Sequence, residues 1–199
     1  AAVFDMPAPL SNRFFHLEIT TGLDEFKNYA IKNEVDDRII SFLNFRPNLL
    51  HKIDKNSPAW PSPRQWVKCD NLLKAKLDID PAVGTAAASE FRSFCSIYKT
   101  LPNIDIILDG KGKPDFPKDL SAKYALCCAL ALRSKDKAQI KNALLYLAKK
   151  GTNEWLNQTT IDIFTILKEK NKQNDLIDVL SSDNDLLNCS KEISKLLAA

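Results

Sequence analysis

The sequence predicts a mostly α fold with one short strand near its start, and three observations point that way. Apolar residues recur at three- and four-residue spacing from about residue 24 onward. Glycine is scarce, at 5 in 199 residues, which disfavours turn-dense β architectures and glycine-rich phosphate loops. Beyond residue 119 the pattern holds almost no strand signal.

The elements follow in order. Phe14-Phe15-His16-Leu17-Glu18-Ile19 reads as a strand, ended by Thr20-Thr21-Gly22. A lone strand cannot satisfy its own backbone groups, so its sheet is expected in a part of the protein preceding these residues. Asp24 is the expected cap of a helix with Phe26, Tyr29, Ala30 and Ile31 on one face. A second helix starts near Val35, and Pro47 opens a further short one holding Leu49 and Leu50. Residues 53–63 form a proline-marked loop. Ser62 is a natural N-cap, with Pro63 at the first helical position of a helix through Trp66 and Leu73. Another helix runs from about Val83 to Lys99, with Ala87, Phe91, Phe94, Cys95 and Tyr98 inward. Residues 109–118 read as a linker. Helices at roughly 119–133, 136–149, 153–170 and 173–197 follow, the last broken near Ser182. Their short connections favour antiparallel neighbours.

Composition narrows the function classes. A hydrophobic content of 45% supports a real core, and a net charge of +3 shows no commitment to nucleic acid. Five scattered cysteines (Cys69, Cys95, Cys127, Cys128, Cys189) lack Cys-x-x-Cys spacing, as expected of buried reduced thiols in a cytoplasmic protein. Cys127 and Cys128 lie in an apolar helical run and read as core. No stretch approaches the roughly 20 apolar residues of a membrane span. The opening Ala-Ala-Val-Phe-Asp-Met-Pro does not read as a signal peptide and begins in mid-pattern, as expected of a piece of a longer protein.

Two arginines stand at punctuated points. Arg64 falls in the first turn of the helix that Ser62 and Pro63 start, where free amides and the helix dipole favour anions. A guanidinium there adds a planar fork able to grip phosphate oxygens. The plain alternative is that Trp60 and Trp66 are core anchors and Arg64 stacks on one of them or caps a carbonyl. Arg13 precedes the expected strand, a place from which an arginine can reach a neighbour's active site, or simply stay solvated. Other motifs are decoys. Ile104-Asp105-Ile106-Ile107-Leu108-Asp109 imitates a strand ending in a metal-binding aspartate, without an upstream phosphate loop, and reads as structural. Gly110-Lys111-Gly112-Lys113 lacks phosphate-loop spacing. His16 and His51 are the only histidines, too few for a histidine-rich metal site.

Five words occur in order over about a hundred residues: Pro9-Leu10-Ser11-Asn12-Arg13-Phe14, Phe42-Leu43-Asn44-Phe45-Arg46-Pro47-Asn48-Leu49-Leu50-His51, Pro61-Ser62-Pro63-Arg64-Gln65-Trp66, Val83-Gly84-Thr85-Ala86-Ala87-Ala88-Ser89-Glu90-Phe91 and Leu101-Pro102. With them, residues 7–108 resemble the C-terminal half of a MoxR-like AAA+ ATPase module, a family often associated with von Willebrand A-domain partners. The resemblance implies residues 1–19 as the end of the AAA+ core, 20–108 as the helical lid, 109–118 as a linker and 119–199 as a C-terminal helical region. It implies Arg13 as the arginine finger acting on the next subunit's nucleotide, and Arg64 as the second-sensor arginine. The Gly84 segment becomes a lid-helix start where close approach needs a small residue.

The family's phosphate-loop lysine, acidic metal-binding pair and first polar sensor would lie upstream. ATP and magnesium are therefore expected only in the intact protein, and no activity or metal is expected of this chain alone. The implied partners are the N-terminal core, neighbouring subunits of a homo-oligomeric ring and a von Willebrand A-domain protein. Neither nucleic acid nor a membrane is expected. The competing expectation is a stand-alone helical interaction module without a nucleotide role, with Trp60 and Trp66 buried and its partner bound at 119–199.

Overall fold

The computed structural model describes residues 6–17, 20–183, 185 and 186. Among them all regular structure is helical, and no strand is present. The expected strand is absent: Phe14 to Leu17 form no regular structure, while Glu18 and Ile19 lie outside the described residues. Phe15 is 98% exposed and Leu17 85%. Among the described residues there is no second strand to take up this segment's backbone groups. It follows α1 (Ala8–Ser11), a single turn started by Pro7.

The first helical unit gathers around aromatic rings. Helix α2 (Leu23–Lys32) starts two residues before the expected position, with Gly22 as N-cap; Asp24 sits in its first turn instead of capping it. Helix α3 (Asp37–Phe45) is capped by Asp36, whose side chain accepts from the Arg38 amide. A 3-10 turn (Pro47–Leu49) follows. Helix α4 (Pro63–Lys74) begins where Ser62 and Pro63 said it should. The helix expected from about Val83 to Lys99 is α6 (Thr85–Tyr98), and a short helix that was not expected, α5 (Asp80–Val83), precedes it. Gly84 breaks them at φ 80°, and a Cβ there would stand 2.7 Å from the Ala59 carbonyl oxygen. Only glycine takes that conformation at that distance without strain. Phe42 centres this unit, its ring 5.5 Å from Trp66, 5.4 Å from Phe91 and 5.6 Å from Phe94. Such tilted and edge-on pairs contribute beyond their buried area.

The second unit starts before the expected linker. Helix α7 (Ile104–Leu108), capped by Asn103, buries Ile104, Ile107 and Leu108, so the decoy strand is a short structural helix. Residues 109–118 hold no helix but lie on this unit's core, with Phe116 beside Tyr146 and Trp155. Helices α8 (Leu120–Arg133), α9 (Lys137–Lys150), α10 (Asn153–Glu169) and α11 (Gln173–Ser181) complete it. The expected stretch of the last helix beyond residue 186, and Cys189, lie outside the described residues.

Helix α8 is apolar nearly all round, as a helix buried from both sides must be. Its Ala125 and Cys128 belong to the first core, its Leu126, Cys127 and Leu130 to the second. Among the described residues no helix is long and apolar enough to cross a membrane.

Candidate functional site

The region around Arg64 is built from the loop that precedes α4. Its ends are pinned: Lys52 donates its amide to the Pro61 carbonyl at 3.0 Å, and the Trp66 indole Nε1 donates to the Leu49 carbonyl at 2.8 Å. Trp66 is fully buried, so it holds the first turn of α4 against the core. Ser62 then accepts from the Gln65 amide at 3.3 Å, and Pro63 presets the helical φ without an amide of its own. Arg64 comes next, in the turn where backbone amides lack intrahelical acceptors.

Its side chain is exposed and makes no hydrogen bond or ion pair among the described residues. Nor does it stack on a tryptophan. The close guanidinium–ring contacts are those of Arg46 over Phe45, at 4.5 Å, and Arg133 over Tyr98, at 5.9 Å. The plain expectation for Trp66 as an anchor therefore holds, but the accompanying stacked or capping role for Arg64 does not. Trp60 is half-buried.

Arg64 opens onto a cleft of about 530 Å³ between α2 and α4. Phe26, Tyr29 and Val67 give it an apolar wall, and Thr20, Thr21 and Gly22 form a rim. Lys68, one turn after Arg64, adds a second cation; Glu25 on α2 supplies a carboxylate. The cleft thus joins an apolar surface to two positive charges at a helix start, a combination suited to a flat apolar group bearing an anion. The Arg64–Lys68 spacing was visible in the sequence. That Tyr29 and Phe26 face the same space was not, because nothing local ties α2 to α4.

Arg13 lies in the turn after α1, exposed, with its amide donating to the Leu10 carbonyl at 3.0 Å. It does not line the Arg64 cleft. His16 stays close to it in sequence and contacts Ser11 at Oγ (3.0 Å) and at the carbonyl oxygen (2.9 Å). Among the described residues no group of three or more histidine, cysteine or acidic side chains is arranged to hold a metal ion.

A second polar feature had no sequence signal. Lys27 on α2 donates to Asp162 on α10 at 2.6 Å, with side chains 10% and 8% exposed. Burial, the largest influence, lowers the Lys27 pKa, but the Asp162 charge and hydrogen bond outweigh it and hold it above the ordinary lysine value. Gln158 also donates to Asp162, at 3.3 Å. The chain matches no family model, no curated protein and no solved structure in comparisons with known proteins.

Proposed function

We propose that this chain is the helical lid and C-terminal part of a MoxR-like AAA+ ATPase. In this reading Arg64 contacts the γ-phosphate of a nucleotide held by an upstream core, and Arg13 reaches the nucleotide of the next subunit. The carrying observation is the state of Arg64: exposed, unpaired, in the first turn of α4 and open to the cleft. A guanidinium at a helix start that forms no ion pair among the described residues, even with Glu25 in the same cleft, is available to an anion from outside. Loss of the γ-phosphate removes a charge-assisted contact of roughly 1.5–3 kcal/mol, enough to bias a two-state lid angle.

ATP and magnesium enter with the core, whose phosphate loop supplies their ligands. The ring neighbours, and a von Willebrand A-domain protein, are the partners this reading carries. The cell compartment it carries is the cytoplasm.

The test uses the protein that includes the nucleotide-binding core. Arg64→Ala should leave the circular dichroism spectrum intact while removing most ATP turnover and the size change on adding magnesium-ATP. Unchanged turnover removes the assignment. The competing reading, a helical interaction module, draws support from the complete burial of Trp66. An upstream Gly-x-x-x-x-Gly-Lys-Ser/Thr loop in the reading frame favours the ATPase over the module.

A further inference from the structure

We infer that α8–α11 are fused to α2–α6 as one rigid lever, so that any rotation of α4 carries α10 and α11 with it. The functional weight of this inference rests on the nucleotide-sensing reading of Arg64; the join itself does not.

The seam between the units is apolar and close. Ala125 and Cys128 of α8 are buried in the first core, and Tyr124 lies 6.0 Å from Phe45 of α3, ring to ring. Ile31, Tyr98, Leu101 and Leu132 each pack against both cores. The chain passes from one core to the other near Leu101, before α7, so residues 109–118 do not separate the units. A packed seam of this kind has few intermediate arrangements and transmits displacement without yielding.

Two polar clamps fix its register. At one, Asp37 of α3 accepts from Arg133 of α8 at 2.8 Å and from the Tyr98 hydroxyl of α6 at 3.1 Å. At the other, the buried Lys27–Asp162 pair joins α2 to α10 across 135 residues of sequence. A sliding or swinging motion at the seam strands the Lys27 and Asp162 charges in an apolar surrounding, which is strongly unfavourable, while the more exposed Asp37–Arg133 pair adds register and little energy.

The route back to Arg64 is equally direct. Asp70, buried on the same helix α4, accepts from the Asp36 amide at 3.0 Å and from Lys74 at 2.7 Å. Asp36 in turn caps α3, whose first residue is the clamp residue Asp37. A turn of α4 is thereby applied to α3, and through Asp37 and the apolar seam to α8.

Native-state hydrogen exchange on the 199-residue chain, without nucleotide, tests the join. The slowest amides of α3 and α4 and those of α8 and α10 should open together, with equal rates and the same denaturant dependence. Lys27→Met should speed both sets by the same factor, and Lys27→Met with Asp162→Leu should bring both back. If the single variant does not fold, the paired variant gives the same comparison between sets. Opening of α8–α11 about tenfold or more often than α2–α6 overturns the lever, since it marks a separate cooperative unit. A single cooperative unit beside an Arg64→Ala protein with unchanged turnover keeps the lever and discards the sensor. The converse pair of results keeps the sensor and discards the lever.

Discussion

Trp66 donates its indole N–H to the carbonyl oxygen of Leu49 at 2.8 Å, in the most buried part of the first helical unit. One hydrogen bond thus ties the start of α4 to the 3-10 turn after α3 and fixes where Arg64 emerges. Trp66→Phe removes the donor while keeping most of the ring, and is expected to cost about 1–3 kcal/mol for the stranded carbonyl. Trp66→Ala adds a cavity and should cost roughly 3–5 kcal/mol. Urea unfolding at constant m-value separates the two; a Trp66→Phe protein as stable as the unsubstituted one would mean the hydrogen bond contributes nothing.

Gly84 permits the break between α5 and α6. Its φ of 80° and the 2.7 Å approach of the Ala59 carbonyl to a would-be Cβ leave no room for a side chain. Gly84→Ala should destabilise by at least about 1–3 kcal/mol. A neutral or stabilising result in thermal unfolding would contradict the close approach.

Breaking the Lys27–Asp162 pair from one side is expected to be severe. Lys27→Met leaves a buried carboxylate unpaired, at a cost of about 3–5 kcal/mol, whereas Lys27→Met with Asp162→Leu should return most of it. Chemical denaturation of the three proteins checks this. Additive losses in the double variant would show that the pair does not act as a unit.

Two groups give opposite pH dependence. Burial, the largest influence on Asp36, raises its carboxyl pKa, but the Arg38 hydrogen bonds and charge outweigh it and hold the carboxyl below its ordinary range. Its contribution is therefore present above about pH 3.9 and lost as pH falls through the folded value. Lys27, held above the ordinary lysine value, contributes fully below about pH 10.4 and loses that contribution as pH rises through its folded value. Asp36→Asn, which keeps a capping side chain, should flatten the acid limb of stability, and Lys27→Met with Asp162→Leu the alkaline limb. Unfolding midpoints measured across both limbs decide.

Burial pushes the thiols of Cys69, Cys127 and Cys128 up to about 12, so almost no thiolate exists near neutrality. Iodoacetamide at pH 8 should modify them only as fast as the chain opens. Peptide mass spectrometry showing rapid alkylation at any of the three would place that thiol at the surface.

Local chemistry was legible in the sequence, and distant pairing was not. Ser62 and Pro63 announced the start of α4 because capping is decided within a few residues. The helix from about Val83 was legible in its apolar spacing, whereas the four residues of α5 before Gly84 are too few for a helical period to show. Phe15-His16-Leu17-Glu18-Ile19 alternate in sequence as a strand does, yet a strand exists only with its partner, and the described ones, Phe15 to Leu17, have none among the described residues. At the site, Arg64 could be found from its position after the cap. The cleft wall of Phe26 and Tyr29 depended on how α2 lies against α4, which no spacing encodes.

The buried Lys27–Asp162 pair also constrains how this chain can change over generations. Each single replacement passes through a protein with a stranded charge, while the two replacements together return to a sound core. Descendants of this sequence should therefore carry both charges or neither, and any lineage that lost them would have to cross a narrow mutational bottleneck, taking the second step soon after the first.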